Sequence, residues 1–120
     1  MMAKKPGADK DTNTNPNIFN SISEQKLTKY LDITKRAVEI IKIIPPEGSH
    51  LKKVADDFYS MALSYYKDAC HYRDQGDYVT AFACVNYAHG YIDAGVRLGV
   101  FLGDNSGIFA FEYVNTSDSS

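Results

Sequence analysis

The sequence predicts an all-α protein, built as an elongated up-down-up bundle of three helices. Apolar residues recur every three or four positions from about residue 22 to residue 101, which is typical of helices with one buried face. This pattern is interrupted by Pro45-Pro46 and by Gly76-Asp77, and both pairs are chemically suited to helix boundaries. The second break is so short that helices two and three must form an antiparallel hairpin. We therefore expect helices at about residues 22–44, 49–75 and 77–101.

The first helix is predicted to begin near Ser21 or Ser23, because a serine hydroxyl can accept a hydrogen bond from an unpaired backbone N–H. Pro45 cannot continue a helix, so the helix is predicted to end at Ile44. One face carries the apolar stripe Leu27, Tyr30, Leu31, Thr34, Val38 and Ile41.

The second helix is predicted to open at Ser49 and to stop at Gly76, since glycine adopts the left-handed conformation at a helix C-terminus without steric cost. Its predicted core stripe contains Leu51, Val54, Phe58, Ala62, Tyr65, Ala69 and Tyr72.

The third helix starts after Asp77, a good N-cap, and differs from the other two in having few charges. Its predicted core face contains Ala81, Val85, Ala88, Ile92, Val96 and Gly99. The opposite face should be charged but instead holds Ala83, Tyr87, Gly90, Ala94, Leu98 and Phe101. Small residues allow a second backbone to approach closely, and aromatic residues supply area to bury. We expect a partner subunit, a partner protein or a C-terminal segment carrying Phe109 and Phe111 to cover this face. The alternative is a partly exposed surface of small residues and tyrosines.

A narrow polar strip lies between these two faces. It contains Asn86, His89, Asp93 and Arg97, at helical spacings of three and four. Pairing of helices two and three about Gly76 is expected to place Asp68 and His71 beside it. A histidine next to a carboxylate can move a proton, and an arginine can hold an anion. A structural or interface network is the favoured interpretation, because pairs at this spacing commonly stabilise helices.

The two ends of the chain differ from the bundle at residues 18–103. Residues 1–17 are polar and contain two prolines, so a disordered tail is predicted there. Residues 104–120 are predicted to be a C-terminal tail, in which the alternation at 108–114 suits a short extended segment.

Composition excludes several function classes. The formal net charge is −2, and residues 18–102 carry ten basic and ten acidic groups, so neither nucleic acid nor an anionic membrane is an expected partner. The sequence has two cysteines, no metal-binding motif and no phosphate-binding loop. It contains no apolar run long enough to span a bilayer. We predict a cytoplasmic protein without a metal or a cofactor.

Four short motifs carry a resemblance to a known family. They are YKDA at 66–69, GDY at 76–78, NYAHG at 86–90 and DAG at 93–95. In this combination the chain resembles the archaeal domain-of-unknown-function family numbered 357, over about residues 22–102. The resemblance implies a compact three-helix bundle of archaeal, cytoplasmic origin with no established activity.

The favoured functional prediction is a non-enzymatic module for protein interaction or homodimerisation, acting through the face around Tyr87, Gly90 and Ala94. The alternative is an accessory domain for a small ligand or nucleotide, in which His89 and Arg97 hold an anion. Catalysis by His89 and Asp93 is the least favoured interpretation.

Overall fold

The computed structural model describes residues 22–104, and three helices account for 76% of them. The elements are α1 at Glu24–Ile40, β1 at Lys42–Ile43, α2 at His50–Asp74, α3 at Tyr78–Leu98 and β2 at Phe101–Leu102. The all-α three-helix bundle is therefore confirmed, with one short strand pair added to it. The tail predicted at 1–17 and the extended segment predicted at 108–114 lie outside the described residues.

All three helices begin at the predicted caps. The side chains of Ser23, Ser49 and Asp77 accept hydrogen bonds from the backbone N–H groups of Lys26, Lys52 and Thr80, at 3.0, 3.2 and 3.2 Å. Each bond satisfies a backbone donor that has no partner within its helix.

Helix α1 ends at Ile40, four residues before the predicted end. Isoleucine is β-branched and favours extended backbone, and the residue before a proline is restricted to the same region. Ile41 is accordingly extended, with φ −64° and ψ 149°. The chain then forms β1, which pairs antiparallel with β2 so that Ile43 lies opposite Phe101. Residues 42–43, which were predicted to lie in the last helical turn, therefore form a strand.

Helix α3 ends at Leu98, before the predicted end at residue 101, because Gly99 adopts a left-handed conformation with φ +91°. The backbone N–H groups of Gly99 and Val100 donate to the carbonyls of Val96 and Gly95, at 3.1 and 3.0 Å. This pattern is the Schellman motif, which closes a helix C-terminus. Gly99 therefore terminates the helix and is exposed, whereas the sequence pattern had predicted a core position.

The core has two parts, and α3 contributes to both. The strand-end cluster, near the paired strands β1 and β2, contains Ala37, Ala55, Ala62, Ile92, Val96, Val100 and Phe101. The turn-end cluster, near the α2–α3 turn, contains Leu27, Leu31, Ala69, Ala81 and Val85. Leu27, near the start of α1, clusters with Ala69, near the end of α2, and Ala37, near the end of α1, clusters with Ala55, near the start of α2. The helices α1 and α2 are therefore antiparallel.

Helix α2 buries alanines at every seventh position, namely Ala55, Ala62 and Ala69. Small side chains let its backbone lie close to α3, while the larger residues of the predicted stripe flank the contact. Leu51 was predicted in that stripe, but it is 46% exposed. The predicted stripe of α2 was therefore correct for Ala62 and Ala69 and wrong for Leu51.

Candidate functional site

The predicted uncharged side of α3 is exposed to solvent. We call Ala83, Tyr87, Gly90, Ala94 and Leu98 the uncharged face, and all five are exposed. Tyr87 is 62% exposed and Leu98 is 52% exposed, values that are high for large apolar side chains. Within residues 22–104, all five positions of this face stay open to solvent.

Phe101 was predicted to belong to the uncharged face, and this prediction was wrong. Its side chain is 1% exposed and belongs to the strand-end cluster. The helix has already ended at Gly99, so the 100° rotation per residue that placed Phe101 outside no longer applies. The strand conformation instead turns its ring inward onto Gly95.

The ring of Tyr87 is held in place by a series of aromatic contacts between α2 and α3. It stacks on Tyr65 with ring centres 5.3 Å apart and an interplanar angle of 24°. Tyr65 also stacks on Tyr91 at 6.1 Å, and Tyr91 meets the edge of Phe58 at 5.6 Å. Tyr87 thus presents a large exposed surface from a defined position.

Gly90 lies on the uncharged face at a place where the described chain does not need a glycine. A Cβ atom built there would meet nothing within 4 Å. Gly90 lies within α3, where glycine costs about 0.5 to 1 kcal/mol relative to alanine. Packing among residues 22–104 therefore gives no reason for the absence of a side chain.

The polar strip is organised around His89, which connects α3 to α1. Its Nδ1 is hydrogen-bonded to Thr34 Oγ1 at 3.0 Å, and its Nε2 lies 3.7 Å from Asp93 Oδ1. The hydroxyl of Thr34 belongs to a residue that is only 2% exposed, so the histidine supplies its buried oxygen with a partner. This contact lies between the two core clusters.

A cavity of about 440 Å³ opens between α1 and α3 along this strip. It is lined by Tyr30, Ile33, Thr34, Asn86, His89, Gly90 and Asp93. The structure therefore brings together three members of the predicted strip, while Arg97 is not among the lining residues. The contribution of α1 was missed, because the strip was expected to face α2. Thr34, a hydroxyl residue in the apolar stripe of α1, was the signal that could have identified it.

Asp68 and His71 lie on α2 and do not line this cavity. The negative charge of Asp68 instead disfavours ionisation of the Cys84 thiol. Burial, with the negative charges of Asp68 and Asp77, raises the pKa of the Cys84 thiol. His71 is exposed, and its ring packs edge-on against Tyr72 with centres 5.1 Å apart. These two residues are therefore separate from the polar site around His89.

Residues 22–104 contain neither a metal-binding cluster nor a membrane-spanning helix. No group of three or more His, Cys, Asp or Glu side chains there is arranged to hold a metal ion. None of the helices in this part of the chain is both long and apolar enough to cross a membrane.

Comparison with known proteins identifies a family but no activity. No curated protein and no solved structure matches the chain. The predicted archaeal origin and cytoplasmic location stay predictions. One family model, described as "Protein of unknown function (DUF357)", matches residues 29–101. That range covers more than half of the 120 residues and includes most of the three-helix bundle, and the chain belongs to this family.

Proposed function

We propose that the protein is an interaction module that pairs with a second copy of itself through the uncharged face of α3. The observation that supports this is the exposure of the whole face in the described chain, with Tyr87 at 62% and Leu98 at 52%. A helix normally turns charged residues toward solvent, and α3 turns none there. Pairing would remove this apolar surface from water.

The order of residue sizes along the face makes it self-complementary. A two-fold axis near residue 92 would set Gly90 opposite Ala94 of the second copy, and Tyr87 opposite Leu98. Small residues then lie where two crossing helices are closest, and large ones fill the space where they diverge. In such an interface each contact occurs twice, once from each copy.

Charge at the edge of the face favours the antiparallel arrangement. Arg97 lies one turn beyond Asp93 on the side of α3 that borders this face. Parallel helices would bring Arg97 of one copy beside Arg97 of the other, and like charges placed together in an interface are costly. Antiparallel helices separate them and also oppose the two helix dipoles.

Gly90→Glu is the variant that tests this proposal. It places a carboxylate at the centre of the contact, where it would be buried without a partner. Space around Gly90 is open, so the monomer should still fold. Light scattering after size-exclusion chromatography should give twice the monomer mass for the natural chain and the monomer mass for the variant. Ser60→Glu, at an exposed position of α2, is the matched control and should remain dimeric.

The far-ultraviolet circular dichroism spectrum of each variant is the control for folding, because it measures helix content. A natural chain that is monomeric at every concentration would remove the proposal. So would a Gly90→Glu variant that is folded and still dimeric.

The alternative of an anion held by His89 and Arg97 is not the one we propose. No lysine or arginine is among the residues that line the cavity beside His89, so the described geometry offers an anion no fixed positive charge there. Our proposal likewise assigns no reaction to His89 and Asp93.

A further inference from the structure

We propose that the cavity between α1 and α3 binds a small organic cation, an amine carried on a short apolar or aromatic body. The cavity shares Gly90 with the uncharged face, and its other lining residues are not part of that face. The inference rests on the chemistry of its two walls, on its charge and on its size.

The α1 wall is apolar and rigid. It is formed mainly by Tyr30 and Ile33, both partly buried. The ring of Tyr30 is fixed by an edge-to-face contact with Phe82, with centres 5.2 Å apart and planes at 82°. An aromatic ring and an aliphatic side chain suit the hydrocarbon part of a ligand, and an aromatic ring also attracts a cation.

The α3 wall is polar, and its one fixed charge is negative. Asn86, His89 and Asp93 follow each other at spacings of three and four along the helix. The Asp93 side chain is 26% exposed, so its charge is partly shielded from water. A carboxylate has several acceptor positions, so Asp93 can accept a hydrogen bond from a ligand in addition to its contacts within the protein. An ammonium group is the complement of this wall, and a carboxylate or phosphate is not.

The size of the cavity fits a small molecule better than a macromolecule. Its volume of about 440 Å³ lies within the range of roughly 300 to 1,000 Å³ typical of small-ligand sites. Gly90 forms part of the rim, and even a Cβ there would touch nothing. The groove is thus wide enough to admit a ring or a short chain between the helices.

Three probes of nearly equal shape test the predicted charge preference. They are 2-phenylethylamine, 2-phenylethanol and phenylacetate, which are cationic, neutral and anionic near neutral pH. Each is titrated into the full chain at low ionic strength while backbone amide chemical shifts are recorded. We expect the amine to shift saturably the amides of the residues that line the cavity. The alcohol should bind at least about five-fold more weakly, and phenylacetate should leave these amides unchanged.

Two variants assign the binding to the acidic wall. Asp93→Asn should weaken amine binding at least about five-fold, while Asp57→Asn, an exposed position on α2, should leave it unchanged. Asn86→Asp adds a second carboxylate to the lining and should strengthen amine binding a few-fold. This gain cannot come from a loss of folding, so it keeps the test decisive if Asp93→Asn is unstable.

Three outcomes would overturn the proposal. Phenylacetate could bind as tightly as the amine, the amine could bind equally well to the natural chain and to folded Asp93→Asn, or no probe could shift the lining residues. Self-association is measured separately, as the mass of the natural chain in solution, so a failure of this proposal can be distinguished from a failure of the proposed function.

Discussion

The contact between Gly95 and Phe101 depends on the absence of a side chain at position 95. Gly95 is buried in α3, and the ring of Phe101 lies directly over it. A Cβ atom at position 95 would come within 2.9 Å of Phe101 Cγ and closer still to two other ring carbons. Since the ring is 1% exposed and packed on all sides, it has little freedom to move away.

Gly95→Ala should therefore lower the free energy of unfolding by about 1 to 3 kcal/mol, the usual cost of overpacking a core. Urea denaturation monitored by circular dichroism measures it. The matched control is Gly90→Ala in the same helix, where the added methyl group meets nothing. It should raise stability by about 0.5 to 1 kcal/mol, measured at a concentration where the chain is monomeric. If Gly95→Ala is as stable as the natural chain, the contact with Phe101 is wrong.

Tyr66 is expected to make the protein less stable as the pH rises into the alkaline range. Burial, a hydrogen bond with Cys70 and the negative charges of Cys70 and Asp32 raise the pKa of the Tyr66 phenol to about 12, from 10.0, and Arg73 opposes this shift. A phenol that is harder to ionise in the folded state stabilises that state fully below the unfolded pKa. This contribution is lost as the pH rises from about 10 through 12.

Tyr66→Phe removes the ionisable group, so the variant should lose less stability than the natural chain between pH 9 and pH 11. The urea midpoints at the two values measure the loss. Tyr87→Phe is the control, because that side chain is 62% exposed. Equal losses in the natural chain and in Tyr66→Phe would contradict the assignment.

The helix starts could be predicted from sequence, and the helix ends could not be predicted equally well. Capping at Ser23, Ser49 and Asp77 depends on a side chain and a backbone group three residues apart, so the signal is local. The ends of α1 and α3 depend on each other, because β1 and β2 exist only as a pair. No window along the chain contains both strands, so this non-local pairing was not predicted.

The polar strip shows the same division. Asn86, His89 and Asp93, which helical spacing predicted to share one side of α3, line the same cavity. Helical spacing could not identify the helix that this side faces, because a face is defined relative to a neighbour. The neighbour is α1, through Thr34, and the predicted flanking residues on α2 lie elsewhere.

The hydrogen bond between Thr34 and His89 should link α1 to α3 energetically. Thr34→Val keeps the shape and removes the hydroxyl, and should cost about 1 kcal/mol of stability. A double-mutant cycle with His89→Ala should give a coupling energy of about 0.5 to 1.5 kcal/mol. Additive effects of the two substitutions would show that the bond does not hold the helices together.

At the scale of the whole molecule, α3 is the organising element. It contributes to both core clusters, it forms the polar wall of the cavity, and it exposes the uncharged face. A central helix of a small bundle has one side left over after packing on its two neighbours. That side carries no charge here, and pairing with a second copy would bury it.

Antiparallel pairing of two α3 helices fixes the distance between labels placed on the two copies, and this distance can be measured. A nitroxide label is attached to Val79→Cys, at a 58% exposed position near the start of α3, after Cys70 and Cys84 are replaced by alanine. Two α3 helices crossing antiparallel near residue 92 should place the labels about 40 Å apart, given a rise of about 1.5 Å per residue. Pulsed electron paramagnetic resonance measures this separation. A distance below about 20 Å would show a parallel pair, and no dipolar coupling at any concentration would show that α3 does not pair at all.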